Sequence, residues 1–429
     1  MFNLKNLNLS FYFFFFLFFS LLWMMVPSYF SPLSYILVLL TLYLNIICIL
    51  FIQFHIKFNQ NLLINNILIL FFCLSGLFFT QNLLIFYICF ESSLIPIFLI
   101  IIGWGSRMEK VRAAYFLFFF TLILSLFMLL SILKIYLLLG TLNLDFLYNI
   151  HLPLIYQKWI YLALSLAFIV KIPLFPFHIW LPQAHVEAPL IGSILLAGIM
   201  LKLGIFGFLR LAIPICPAAH IYYSPFYILL SLCSIIYGGL TTFRQSDMKR
   251  LIAYSSVAHM GFASYALFNV KNINLSLIGC ILVLIAHGFS SPGLFAIVGL
   301  LYERYHSRIM KYYSGCKIIH PIINEYAFLF TLASIAFPGS LNFIGELIII
   351  ILAVETSFFH SCIIGLGAFL GLIYSLHFYQ KIFTGHINNY LYGAKPIIKQ
   401  ELIALNMLFW PLLFFGLVPF LILNFNYIY

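Results

Sequence analysis

Thirteen stretches of this chain are apolar enough and long enough to cross a lipid bilayer, and little else constrains its fold so strongly. They lie near 10–26, 33–54, 62–80, 83–103, 113–139, 157–182, 189–211, 225–243, 249–268, 275–301, 325–355, 361–383 and 401–423. Hydrophobic residues make up 65% of the 429 and charged residues only 7%, whereas soluble domains carry about 25% charged residues. No soluble core absorbs this much apolar sequence. The expected fold is all-α, a polytopic transmembrane helix bundle forming a single domain over 1–429. The first apolar run follows only Lys5 and has no small-residue cleavage site, so it reads as a retained helix rather than a signal peptide.

The net charge of +11 invites a nucleic-acid reading, but its distribution gives a different one. The N-terminus and every second loop carry the basic residues, among them Lys5, Arg107, Lys110, Arg112, Arg244, Lys249, Arg250, Arg304, Arg308 and Lys311. The opposite loops carry only Lys158 and Lys271. By the positive-inside rule the first set faces the cytoplasm or matrix, which puts the N-terminus inside and the C-terminus outside. The excess is a topology signal, and no nucleic-acid partner is expected. The eight cysteines include no C-x-x-C pair and read as small buried apolar residues, so neither zinc nor an Fe–S cluster is expected. Abundant Phe and Tyr match A/T-rich codons, a compositional hint of an organelle genome.

An internal repeat is expected. Five spans over 62–211 can be laid against five over 225–383, leaving 401–423 as a C-terminal helix, and an odd number of spans per unit inverts the second copy. The fourth span of each unit is interrupted: Pro173, Pro176 and Pro182 follow Lys171, and Pro338 and Gly339 precede Asn342 and Glu346. Such breaks are tolerated at membrane depth only where protein or water lines them.

Charges inside apolar spans cost at least ~2.5–3.5 kcal/mol each, so their retention implies partners or a use. Glu91 sits in Leu83–Ile101 with no basic residue on its span; Lys171 and Lys202 are its candidate partners, and a neutral, hydrogen-bonded Glu91 is the alternative. Lys171 lies at the break of its helix. Lys202 lies mid-span, with Gly198, Gly204 and Gly207 allowing close helix packing. Arg210 and Lys134, near span ends, read as snorkelling. Glu346 is a second deep carboxylate. His259 and His287 lie in neighbouring spans beside Ser255, Ser256, Ser290 and Ser291; imidazole suits a proton relay, and a hydrogen-bonded core histidine is the plainer reading. His178, His185 and Glu187 match no metal motif and read as a loop cap and helix start. The physics of Glu91, Lys171, Lys202, His259, His287 and Glu346 describes a buried polar chain across several helices, the layout of a proton or cation pathway.

The motifs resemble a known family over most of the chain. FESSLIPIFLIIIGWGSR (90–107), VKIPLFPFHIWLPQAHVEAPLIGSILLAGIMLKLG (170–204), DMKRLIAYSSVAHMG (247–261), AHGFSSPGLFAIVGLLYERYHSR (286–308) and FPGSLNFIGE (337–346) are similar to the proton-channel subunits of NADH:ubiquinone oxidoreductase (respiratory complex I), the chain 4 type in particular. The resemblance implies that Glu91 and Lys171 form the family's Glu–Lys pair and that Lys202 is its central lysine. It makes His259 and His287 relay histidines and Glu346 the ionisable residue at the outlet. It implies proton translocation in the mitochondrial inner membrane, N-terminus in the matrix and C-terminus in the intermembrane space, beside other membrane-arm subunits. The complex would use NADH, FMN, Fe–S clusters and ubiquinone, none of them held by this chain. The family's chain 4 normally has fourteen spans, so by the resemblance the first span is expected to be missing here. Pro292, after the Ser290–Ser291 pair, departs from the pattern and is expected to kink the His287 helix. A subunit of a multisubunit cation/proton antiporter and a purely structural membrane scaffold are the competing readings.

Overall fold

A computed structural model of the protein describes residues 32–55, 58–391 and 395–423. Fifteen helices frame it. They are α1 (Pro32–His55), α2 (Gln60–Phe79), α3 (Leu83–Ser92), α4 (Leu94–Trp104), α5 (Lys110–Leu139), α6 (Leu154–Lys171), α7 (Trp180–Glu187) and α8 (Leu190–Ile215). Then follow α9 (Pro217–Phe243), α10 (Met248–Phe268), α11 (Ile273–Tyr305), α12 (Pro321–Ser334), α13 (Leu341–Thr356), α14 (Phe358–Phe383) and α15 (Lys399–Leu417). Among the described residues, β-pairing is limited to two isolated bridges, Asn82–Asn143 and Asp247–Ile309, so the fold is all-α.

Among the described residues, eleven helical segments are long and apolar enough to cross a membrane, with α3 and α4 counted as one. Of the thirteen expected spans, 10–26 lies outside the described residues, and 325–355 is two shorter helices, α12 and α13. Local chemistry fixes the ends. Asn82 Oδ1 accepts the Leu84 N–H at 2.9 Å to open α3, and Asp247 Oδ1 accepts the Lys249 N–H at 3.0 Å to open α10. Gly140, at φ +71°, closes α5 in the left-handed conformation that glycine adopts at least cost.

The breaks occur where proline placed them. Helix α6 stops at Lys171, and the chain turns through residues 172–179 before α7. The Trp180 indole reaches back from α7 and donates to the Val170 carbonyl at 3.0 Å, satisfying a group the break would orphan. Between α12 and α13 the Asn342 amide does the same, donating to Ala333 O at 2.7 Å. Pro292, by contrast, leaves α11 helical from Ile273 to Tyr305. There the Ser291 hydroxyl bonds the His287 carbonyl at 2.7 Å, and the ring of Phe330 lies against Gly293.

Apolar side chains face outward along α5 (Phe119, Ile123, Leu126, Leu130, Leu137) and α14 (Phe358, Phe359, Leu366, Phe369), as expected of surfaces solvated by lipid tails. The inner helices are α8, α10 and α11. Every residue in the apolar window of α8 is buried. Its glycines permit this: a Cβ on Gly204 would sit 2.6 Å from the Phe168 carbonyl of α6.

Candidate functional site

The interior of α8 is not a regular helix. Two π-helical turns, Leu196–Met200 and Phe208–Ala212, bracket the α-helical piece Lys202–Gly207. A π-turn widens the helix by one residue and frees carbonyls from the i+4 ladder, and such turns are frequent at functional sites. Lys202 uses one of them: its ammonium donates to Ala197 O, five residues back. The same ammonium lies 2.9 Å from His287 Nδ1 on α11. Lys202 is fully buried, so both contacts replace lost hydration.

From His287 the polar contacts continue. The ring centroids of His287 and His259 (α10) are 6.0 Å apart. His259 Nδ1 lies 3.4 Å from Glu346 Oε1 on α13, within ion-pair range when the ring is protonated but not aligned as a hydrogen bond. The Tyr374 hydroxyl of α14 approaches His259 Nε2 at 3.5 Å. Thus four of the six candidate residues, Lys202, His287, His259 and Glu346, adjoin one another in that order across four helices.

Glu91 and Lys171 form a second group. The Glu91 carboxyl faces Lys171 and the Ser125 hydroxyl of α5. No hydrogen bond closes between the two charges: Lys171 Nζ and Glu91 Oε1 lack hydrogen-bond partners among the described residues. Lys171 Nζ instead stands 4.8 Å from the centre of the Phe90 ring, a cation–π contact. The groups meet through the backbone, because Gly204 packs on Ile172, the residue after Lys171.

Several expectations are corrected. Arg210 does not simply snorkel; it donates to the Phe78 and Thr80 carbonyls at 2.6 and 2.7 Å, clamping the end of α2. Lys249 and Arg308, counted among the basic residues of one side, are buried. Lys249 donates to Ala188 O at 2.8 Å, and Arg308 bonds Val186 O and lies 3.3 Å from Glu187 Oε1. These two cations hold the last carbonyls of α7, where a positive charge is favourable. Glu187 is the last residue of α7 and stands two residues ahead of Pro189, which precedes α8. His185 is no loop cap: it is fully buried and stacked on Phe295 at 4.6 Å. His178 packs against Phe175 and Tyr237, so the three residues do not converge. Among the described residues, no three His, Cys, Asp or Glu gather as a metal site. Sequence reasoning missed Tyr374, Ser125 and the structural burial of Lys249; Ser125 is one of two serines, with Ser131, in the apolar run 113–139, and that was the only hint of it.

Known proteins resemble this chain in sequence and fold. The family model described as NADH:quinone oxidoreductase/Mrp antiporter, TM, matches residues 80–371. NADH-ubiquinone oxidoreductase chain 4 of Metridium senile is 46% identical over 396 residues, 91% of this chain and 79% of that protein. NADH-quinone oxidoreductase subunit M of Rickettsia conorii is 37% identical over 396 residues, 91% of this chain and 80% of that one. A chain of respiratory complex I from Thermus thermophilus superposes with a TM-score of 0.85 at 30% identity, covering 92% of this chain and 83% of that one. A chain of the Mrp complex from Dietzia sp. gives 0.81 at 18% identity, covering 92% and 82%, a likeness of fold alone. By its sequence, its fold and the motifs that line its interior, the chain belongs to the NADH:quinone oxidoreductase/Mrp antiporter transmembrane family, and within it to the chain 4 type of NADH-ubiquinone oxidoreductase.

Proposed function

We infer that this chain is a proton-pumping membrane-arm subunit of NADH:ubiquinone oxidoreductase in the mitochondrial inner membrane, driven by quinone reduction elsewhere in the complex. The observation that carries the reading is the succession Lys202–His287–His259–Glu346, buried throughout. Each member can hold and release a proton. While Lys202 is charged, His287 faces it with an unprotonated Nδ1 and keeps its own proton on Nε2. A proton given to Nδ1 and one released from Nε2 toward His259 advance the charge by a ring's width. Glu346 receives it from His259 on the outlet side. Each charge moved against 100 mV requires about 2.3 kcal/mol.

Glu91 and Lys171 serve as the switch. Glu91 close to Lys171 holds the lysine's charge; Glu91 withdrawn leaves that charge uncompensated on a segment packed against α8. Like charges on touching segments repel, so the state of the first pair biases proton release from Lys202. Residues 62–211 and 225–383 form two inverted repeats in this reading. In support, Trp180 and Asn342 each bond the next-to-last residue of the half-helix before the break. NADH, FMN, Fe–S clusters and ubiquinone belong to other subunits, and the N-terminus lies on the matrix side, with the C-terminus in the intermembrane space. The cation/proton antiporter alternative rests on likeness of fold, whereas sequence identity favours complex I.

The test is Lys202→Met in the assembled complex, reconstituted in vesicles with a pH-sensitive dye. Methionine keeps the apolar stem and cannot carry a proton. Proton pumping is expected to collapse with assembly intact, and quinone reduction to slow in parallel. A normal proton yield per NADH would make Lys202 a structural residue and revive the scaffold reading.

A further inference from the structure

Lys249 is a buried cation without a counter-charge. Its ammonium donates to Ala188 O at 2.8 Å, and among the described residues no carboxylate stands at ion-pair distance from it. The neighbouring buried cation, Arg308, takes Glu187 at 3.3 Å. A carbonyl satisfies one of the three ammonium donors and does not neutralise the charge. Taking an unpaired charge out of water is costly, so this one calls for an anion beside it.

Lys249 lines a cavity of about 610 Å³ on the face that carries the basic loops. That volume lies within the ~300–1,000 Å³ of small-molecule sites. The walls are of two kinds. Phe51, Leu190, Ile191 and Gly299, all buried, make an apolar side. Lys395 and His306, both exposed, stand at the polar side, where Glu303 is the one acidic residue among the described lining. Ala188 and Pro189 add the N-terminal end of α8, the positive pole of a 26-residue helix. Tyr302 and Trp104, whose indole donates to Phe58 O at 3.1 Å, add amphipathic rings of the kind that sit at headgroup level in a membrane.

We propose that this cavity binds an anionic phospholipid, its phosphate against Lys249 and the start of α8, and the first part of one acyl chain along Phe51, Leu190 and Ile191. The surplus positive charge selects an anion, and the apolar wall selects one that carries a hydrocarbon tail. Inorganic phosphate meets the first demand and not the second. A zwitterionic lipid meets the second but brings its own cation to a site that already has too many. Basic pockets between transmembrane helices on this kind of face suit such headgroups. The proposal goes beyond proton pumping and does not depend on it.

The test uses the assembled complex in phosphatidylcholine vesicles doped with phosphatidylglycerol that carries a photoreactive diazirine near the head of one acyl chain. A phosphatidylcholine probe with the same diazirine serves as reference. After illumination, the labelled peptides are mapped by mass spectrometry. The expected result is that the anionic probe labels the peptides holding Phe51, Leu190 or Tyr302 well above the zwitterionic probe. Lys249→Gln and Lys395→Gln should each lower that labelling about fivefold, the scale of one basic side chain at a membrane surface. Arg112→Gln, which removes an exposed charge of the same face outside the cavity, should leave it unchanged. Excess inorganic phosphate should not displace the probe. Equal labelling by the two probes, or a loss in Arg112→Gln as large as in Lys249→Gln, overturns the proposal, since headgroup recognition at this site is then absent. Displacement by inorganic phosphate overturns it in favour of a free anion. If Lys249→Gln does not assemble, the exposed Lys395→Gln decides.

Discussion

The two groups of buried charge in this protein differ in how they are closed. Lys202, His287, His259 and Glu346 adjoin one another, with approaches of 2.9 and 3.4 Å at the two ends of the succession. Glu91 and Lys171 face each other without a hydrogen bond, and the lysine rests over an aromatic ring. A conduit for protons needs neighbours always within reach. A switch needs partners that can meet and part, and a pair already locked by short bonds would have no second state. The weaker of the two arrangements is therefore the one suited to control.

Substitutions sharpen or break this contrast. The largest effect is expected at Glu346. Glu346→Gln keeps the size of the side chain but removes the group that takes the proton from His259 in the proposed relay. Proton pumping, followed by dye in vesicles, should fall by about 10² or more, the usual scale for losing a positioned acid or base. A loss smaller than that of Glu91→Gln would erase the distinction between conduit and switch. Glu91→Gln comes next. It removes the counter-charge of Lys171 without touching the relay, and a coupling of ~1–3 kcal/mol between sites corresponds to about 5–150-fold. Pumping should fall within that range, and the proton yield of the residual turnover should fall with it. Unchanged coupling in Glu91→Gln would show the open pair to be idle. The smallest effect is expected at Tyr374→Phe. Its 3.5 Å approach to His259 is longer than a good hydrogen bond, so the rate should change by no more than about twofold. A large loss there would place Tyr374 inside the conduit.

Much of this was legible in the sequence, for reasons that can be named. Long apolar runs announce spanning helices because lipid permits little else, and proline announced both breaks because it removes a donor. The deep charges stood out because each is costly in isolation. Which of them touch was not legible, since Lys202 and His287 are 85 residues apart and share no local pattern. The π-turns around Lys202 leave no periodic trace that distinguishes them from ordinary helix. The burial of Lys249 and Arg308 was not legible for a specific reason. The positive-inside rule counts cations near helix ends whatever their burial, and these two lie at such ends yet turn inward onto α7. His185 was misread because its neighbours in sequence look like a loop, and the short helix α7 that carries it is only eight residues long.

The complete enclosure of α8 has a consequence for how the protein is made. In the finished fold the apolar window of this helix meets only other helices, never lipid. Yet its sequence is composed like that of a lipid-facing segment: apolar over most of its length, with the glycines hidden among large side chains. During synthesis it must enter the bilayer before α10 and α11 exist to receive it, so for a time Lys202 has only lipid, its own backbone and earlier helices around it. The apolar excess of α8 is thus addressed to the insertion machinery, and the buried lysine it carries is addressed to the folded protein. A substitution that made α8 more polar could improve its fit to the interior and still be lost, because the nascent helix would fail to enter the membrane.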